Sequence, residues 1–171
     1  MPSRQPIVIT SDSRHRQFAT SAVAVQAIII NQDEQVLLLK GSSPKQGWQV
    51  VSGALEASET LLDGTLREDY EELGEDIQVH PLGTVHAGTF HYDESMKYML
   101  AIYYLFSYQG GSILPGSDMI GSEYRWWTLD ELKECESNFH HSSPTWILTR
   151  AIGLYRMWVN EPELALQPRL F

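Results

Sequence analysis

Residues 53–76 read GALEASETLLDGTLREDYEELGED, and this stretch decides the fold. It holds nine acids, Glu56, Glu59, Asp63, Glu68, Asp69, Glu71, Glu72, Glu75 and Asp76, against the single base Arg67. Ser58 is a candidate N-cap and Gly74 a candidate stop, which predicts a helix over 59–73. At about 100° per residue, Glu71 lies roughly 60° to one side of Glu68 and Glu72 roughly 40° to the other. Leu62, Leu66 and Leu73 form a stripe roughly 80° or more from those acids. The stripe is expected to pack on a sheet while the acids face a cleft. Like charges at this spacing repel in water, so an exposed helix gains nothing from them. A hard divalent cation, Mg²⁺ or Mn²⁺, reverses the balance because it takes carboxylate oxygens.

Outward from the helix, the pattern is mostly strands. Residues 22–30 are an apolar run broken by Gln26, then a turn at Asn31-Gln32-Asp33-Glu34, then a returning strand at Val36–Leu39. Gly41 to Gly47 is loop chemistry, Trp48–Val51 reads as a short strand, and Ser52-Gly53-Ala54 as the loop into the helix. Ile77–Phe90 and Tyr98–Tyr108 are β-rich, with a turn near Asp93-Glu94-Ser95. Tyr124–Trp127 follows as a strand, Leu129–Glu136 as a short helix, and a last helix runs from Thr145 to about residue 158. This order predicts a mixed α/β domain with a helix packed on a sheet. Residues 1–20 read as a polar N-terminal segment (a flexible tail or an added edge strand), 21–160 as one domain, and 161–171 as a C-terminal tail.

The 171 residues carry 22 acids and 12 bases, a formal charge of −10. Most of the excess is local: outside 53–76 there remain 13 acids and 11 bases. Duplex nucleic acid is not an expected partner, since such binders present basic stripes. No apolar run is long enough for a bilayer, and the start lacks a basic-then-apolar leader. Cys135 is the only cysteine, which excludes an internal disulfide and any multi-cysteine metal site. A cytoplasmic protein is the resulting expectation.

Gly53, Glu59, Arg67, Glu68, Glu71, Glu72 and Gly74 stand at fixed spacing over 22 residues. This pattern resembles the Nudix box, the signature of the Nudix hydrolases. The resemblance implies an α/β/α sandwich. It implies metal-dependent water attack on phosphorus in a nucleoside diphosphate linked to another moiety. Glu68, Glu71 and Glu72 match the family's metal-binding carboxylates, and one of them, most often Glu68 by position, serves instead as general base. The carbonyl of Gly53 is a further candidate ligand. Glu56 and Glu59 would order the loop, and Arg67 would tie helix to loop through an ion pair, with Glu59 as first choice. Glu123 matches a region where relatives place an extra ligand or base. Four positions depart from the pattern. Ser52 stands for a second glycine, Ser58 for a common glycine, and Asp69 and Glu75 for apolar residues. By its angle Asp69 flanks the leucine stripe and needs a partner if buried.

The substrate side is less defined. Tyr92 lies 18 residues after Gly74, near the spacing of a tyrosine in dinucleoside polyphosphate hydrolases. Phe90 stands where ADP-sugar enzymes tend to carry proline. Phe90, Tyr92, Tyr98 and Tyr103 are candidates for stacking a base, against the alternative of core packing. Lys40, Lys45, Lys97 and Arg125 are candidate phosphate contacts, against ordinary surface charge. His86 and His91 fall on opposite faces of a regular strand, so they do not read as a metal pair. Cys135, among acids, reads as inert. The apolar pattern from Trp146 to Trp158 reads as core, with a homodimer contact as the alternative. A Nudix-fold module that senses a nucleotide without turnover is the competing function. The three intact glutamates favour the enzyme.

Overall fold

The computed structural model describes residues 8–10, 13, 15, 17–19, 21–41, 47–94, 98–116 and 119–165. Among these residues eight strands are found: β1 (Val8–Thr10), β2 (Gln17–Ala19), β3 (Ala22–Ile30), β4 (Val36–Lys40), β5 (Val51–Ala54), β6 (Gln78–Phe90), β7 (Met99–Gly110) and β8 (Glu123–Trp127). Three α-helices join them among the described residues: α1 (Leu61–Leu73), α2 (Leu129–Glu134) and α3 (Thr145–Asn160).

Strand β3 is apolar on both faces and ends in seven consecutive buried residues. Such a strand needs partners on both edges and cover on both sides. It runs parallel to β7 on one edge and antiparallel to β5 and β4 on the other. The sheet order is β6-β7-β3-β4-β8, with β5 beside β3. The sheet is therefore mixed. Alternation divides the core between its faces. Ala27, Ile29, Tyr104 and Phe106 pack with Leu73 of α1. Ile28, Ile30 and Leu105 pack with Ile147, Leu148 and Ile152 of α3. Each fully buried leucine or isoleucine contributes about 1.5–3 kcal/mol. The product is the α/β/α sandwich that the sequence implied. β1 and β2 pair with each other in a small antiparallel sheet of their own.

Three local expectations are corrected. The helix begins at Leu61, with Thr60 as N-cap accepting from the Asp63 N–H at 3.2 Å. Ser58 instead takes the left-handed φ of 74° in the preceding turn, a conformation that favours the glycine common there in relatives. The strand expected at 48–51 is shifted to 51–54, because β3 supplies its partners from Ala27↔Val51 to Ala24↔Ala54. Gly53 thus lies inside a strand rather than in a loop. Trp48 and Gln49 make only isolated bridges, to Phe139 and Leu39. Finally, α1 is rotated from the orientation its leucines suggest. Leu62 and Leu66 are half-buried, whereas Gly64, Thr65, Glu68, Asp69 and Leu73 are buried.

Candidate active site

The rotation of α1 follows from small residues beneath it. At Gly53 an added Cβ would fall 1.9 Å from the carboxylate carbon of Glu68. At Gly64 it would fall 2.7 Å from Leu55 Cδ1 and 2.9 Å from Glu59 Oε2. Hydrogen in place of a side chain lets the loop and β5 close on the helix. Glu68 is drawn into the joint. Gly53→Ala is therefore expected to displace that carboxylate by about 1 Å or more and to lower kcat/KM about 10²-fold, as misplacement of a reacting group does. Steady-state assay of the variant checks this; an unchanged kcat/KM would remove Glu68 from the working site.

Arg67 organises the acids. Its Nε donates to Glu59 Oε1 at 2.7 Å and its Nη2 to the Ala54 carbonyl at 2.9 Å. Its Nη1 donates to Glu68 Oε1 at 2.7 Å and to Glu71 Oε2 at 3.2 Å. The helix–loop ion pair expected with Glu59 is present, and the same guanidinium also spans two further acids. Glu59 in turn accepts from the Glu56 N–H at 2.9 Å, so Glu56 orders the loop through its backbone. Arg67 holds the Glu59 carboxyl below the usual carboxylate range. Burial pushes the Glu68 carboxyl above it, against the lowering influence of Arg67. Arg67 itself is raised above its ordinary value, chiefly by the Glu59 hydrogen bond.

Asp69 is fully buried, and neither carboxylate oxygen has a hydrogen-bond partner among the described residues. Burial pushes its carboxyl well above the usual range, and the charges of Glu72 and Glu68 add to that. Among the described residues, the partner that the sequence asked for is not there.

The donor set suits a hard cation. Carboxylates of Glu68, Glu71 and Glu72 lie on two successive turns, and Gly53 touches the first of them. Among the described residues no three His, Cys, Asp or Glu side chains already converge on a common metal position. The reason is visible: Arg67 occupies the space between Glu68 and Glu71. A bound cation would compete with this guanidinium for both carboxylates.

The remaining candidates are scattered. Glu123 is exposed at the start of β8, opposite Lys40. The loop leading to it is tied to the end of α1 by the Leu114 N–H, which donates to the Leu73 carbonyl at 2.7 Å. Glu123 makes no ion pair or hydrogen bond with α1 among the described residues. Arg125 is bonded to Glu131 and stacks over Trp127, with its carbon 4.3 Å from the ring centroid. Those contacts hold it on β8 and α2. Lys40 lies 5.9 Å from the Trp48 ring centroid. Lys45 and Lys97 fall outside the described residues. Tyr92 is exposed and meets Phe90 edge-on at 6.4 Å. His86 packs against Tyr103 and Trp146. His140 shares a hydrogen bond with Ser142. One participant was not singled out from sequence: the Ala54 carbonyl, which accepts from Arg67 and carries no side-chain signal.

The model of the Nudix domain matches residues 20–146. The chain belongs to the Nudix family. Solved Nudix structures share its fold. The MutT protein from Methanosarcina mazei Go1 is 23% identical, with a TM-score of 0.59 over 80% of this chain and 94% of that one. An ADP-ribose pyrophosphatase from Streptococcus suis 89-1591 is 18% identical, with a TM-score of 0.61 over 80% and 93%. A UDP-X diphosphatase is 16% identical, with a TM-score of 0.64 over 85% and 68%. No curated protein matches the chain in sequence. No helix of the described residues is long and apolar enough to cross a membrane.

Proposed function

We propose that this Nudix protein hydrolyses a pyrophosphate bond in a nucleoside diphosphate linked to another moiety, with Mg²⁺ or Mn²⁺ as cofactor. One observation carries the reading. The Glu68 carboxylate is seated against a glycine that admits no side chain, and Arg67 joins it to Glu59 and Glu71. A helix that only needed a solvated acidic face would not bury one of its acids beside a bare backbone.

Glu68, Glu71, Glu72 and the Gly53 carbonyl would hold the cation. When bound, it offsets charge on the phosphate oxygens and acidifies water. The chain's own part is to place the acids. Arg67 and Glu59 fix the loop against α1, and Gly53 sets the depth of Glu68. The base that takes a proton from water is drawn from Glu68, Glu71, Glu72 and Glu123. The substrate is a small nucleotide derivative. Tyr92, exposed beside Phe90, is a candidate to contact its organic part.

The test is phosphate release from a panel of nucleoside diphosphate derivatives, with and without the cation. Release that depends on the cation is expected. Tight binding without turnover would support the sensing module instead. Stability gives a second measure. A ligand at about 100 times its Kd stabilises by about 2.7 kcal/mol. For a domain of this size that is a rise of about 5–10 °C in melting temperature. Mn²⁺ is expected to produce it in the wild type and not in Glu72→Gln. Equal shifts in both proteins would place the metal elsewhere.

A further inference from the structure

Gln26 is the one polar residue in the buried run of β3, and its register gives it polar neighbours. It pairs with Tyr103 on β7 and Ser52 on β5, and Tyr103 pairs with His86 on β6. Four polar side chains therefore form one row across four adjacent strands. Alternation puts the row on the face covered by α3, since Tyr103 packs there with Ile28 and Leu105. The neighbouring row is Gly88, Ala101, Ala24 and Ala54, in which no side chain exceeds a methyl group. The sheet surface thus steps down beside the polar row. The His86 ring leans over this step, where a Cβ at Gly88 would meet its Nε2 at 2.9 Å. Trp146, half exposed on the first turn of α3, meets His86 edge-on at 5.0 Å.

A floor of small residues alone is only a packing device. What points to a ligand is Gln26. It is 5% exposed, and its Oε1 has no hydrogen-bond partner among the described residues. Tyr103 is different, because its hydroxyl donates to the Ser142 carbonyl at 2.8 Å. Buried amide oxygens are almost always paired, so this one is an acceptor awaiting an N–H donor. The row ends at Ser52, one residue before the Gly53 that seats Glu68.

We propose that Gln26 determines base specificity. Its carboxamide accepts an N–H from a flat nucleobase lying on the Gly88–Ala101–Ala24 floor, with His86 and Trp146 at its side. A flat ring fits a step one methyl deep, and a base offers the donor that an aliphatic ligand lacks. A carboxamide has the paired donor and acceptor that suit an amino group beside a ring nitrogen, an edge that adenine and cytosine both carry, and the two fused rings of adenine cover more of the three-residue floor, so adenine is the expected base. The inference deepens the proposed function by naming the part of the substrate that is read.

The test compares ADP-, CDP-, GDP- and UDP-glucose as substrates, and AMP, CMP, GMP and UMP as ligands in a melting assay. Gln26→Leu keeps the volume and removes the acceptor. In the wild type, kcat/KM for the adenine compound is expected to exceed the weakest by 10-fold or more. In Gln26→Leu the spread is expected to fall within about 3-fold, through a KM rise of about 10-fold with kcat preserved, the effect of one hydrogen bond. Ala101→Val, which raises the floor without touching Gln26, is expected to raise KM likewise. The same spread in wild type and Gln26→Leu would overturn the inference, as would a preference for a base other than adenine. If none of the four glucose compounds is hydrolysed, the glucose moiety is the wrong one, the wider panel decides the proposed function, and the melting assay decides this inference. An AMP-specific melting shift that is lost in Gln26→Leu would still support base reading, and equal shifts in both proteins would overturn it.

Discussion

Glu68→Gln is expected to lower kcat for the best nucleoside diphosphate substrate about 10²–10³-fold, the size of losing one electrostatic contact in a desolvated site. The substitution keeps the shape of the side chain, so the contact with Gly53 survives. It removes one negative charge from the set that would hold the cation. The Arg67 Nη1 that donates to both Glu68 and Glu71 keeps an amide oxygen to bond but loses the charge of one acceptor. Apparent Mn²⁺ affinity should therefore fall along with kcat, while melting temperature without metal should hold or rise. A raised carboxyl that no longer ionises is one buried charge fewer. Full activity in Glu68→Gln would falsify the site assignment.

The largest stability effect is expected at Asp69. A fully buried carboxylate without a hydrogen-bond partner among the described residues, facing the charges of Glu72 and Glu68, opposes folding whenever it is ionised. Asp69→Leu places an apolar side chain where relatives of the box carry one. The expected gain is about 2 kcal/mol at pH 8, in the range found when buried charges give way to hydrophobic groups. In a domain of this size it raises the melting temperature by about 4–8 °C.

The pH dependence has a definite sign. The folded-state pKa of Asp69 lies well above its unfolded value of about 3.9, so the folded protein binds the proton more tightly. This group's contribution is complete below the unfolded value and is lost as pH rises through the folded one. Glu68 acts in the same direction. Glu59 acts oppositely, because Arg67 lowers its carboxyl and its stabilisation is lost on acidification. Melting curves of metal-free protein between about pH 5 and pH 8 should thus decline with pH in the wild type. The decline should be shallower in Asp69→Leu and in Asp69→Asn, which fills the same space without ionising. If both variants melt no higher than the wild type at pH 8, the buried charge has a partner that offsets it.

Much of this protein is legible without its structure. The run Ala22–Ile30 reads as a strand and is one, because nine mostly apolar, β-branched-rich residues have no other favourable state. The acidic helix, its stop at Gly74 and the spacing of its glutamates are local properties, and local geometry carries them into the fold. Arg67 as the helix–loop tie was an expectation from the resemblance to the Nudix box, and its ion pair with Glu59 is present.

Other features depend on partners distant in sequence. The leucine stripe of α1 suggested one buried face, but glycines at 53 and 64 let the helix settle with Glu68 and Asp69 inward. Residues 51–54 became a strand because β3 offered hydrogen bonds there, not because Ser52-Gly53-Ala54 favours extension. Gln26 looked like an interruption until register set it beside Tyr103, Ser52 and, through Tyr103, His86.

By itself the sequence determined most of the elements, the family pattern and the carboxylates at stake, since periodicity and spacing are encoded within a few helical turns or one strand. Only the tertiary structure decided which acids are buried, which acids beyond Glu59 share the Arg67 guanidinium and which polar side chains share a face. Those depend on strand register and on how closely backbones approach, and both are settled when distant segments pack together.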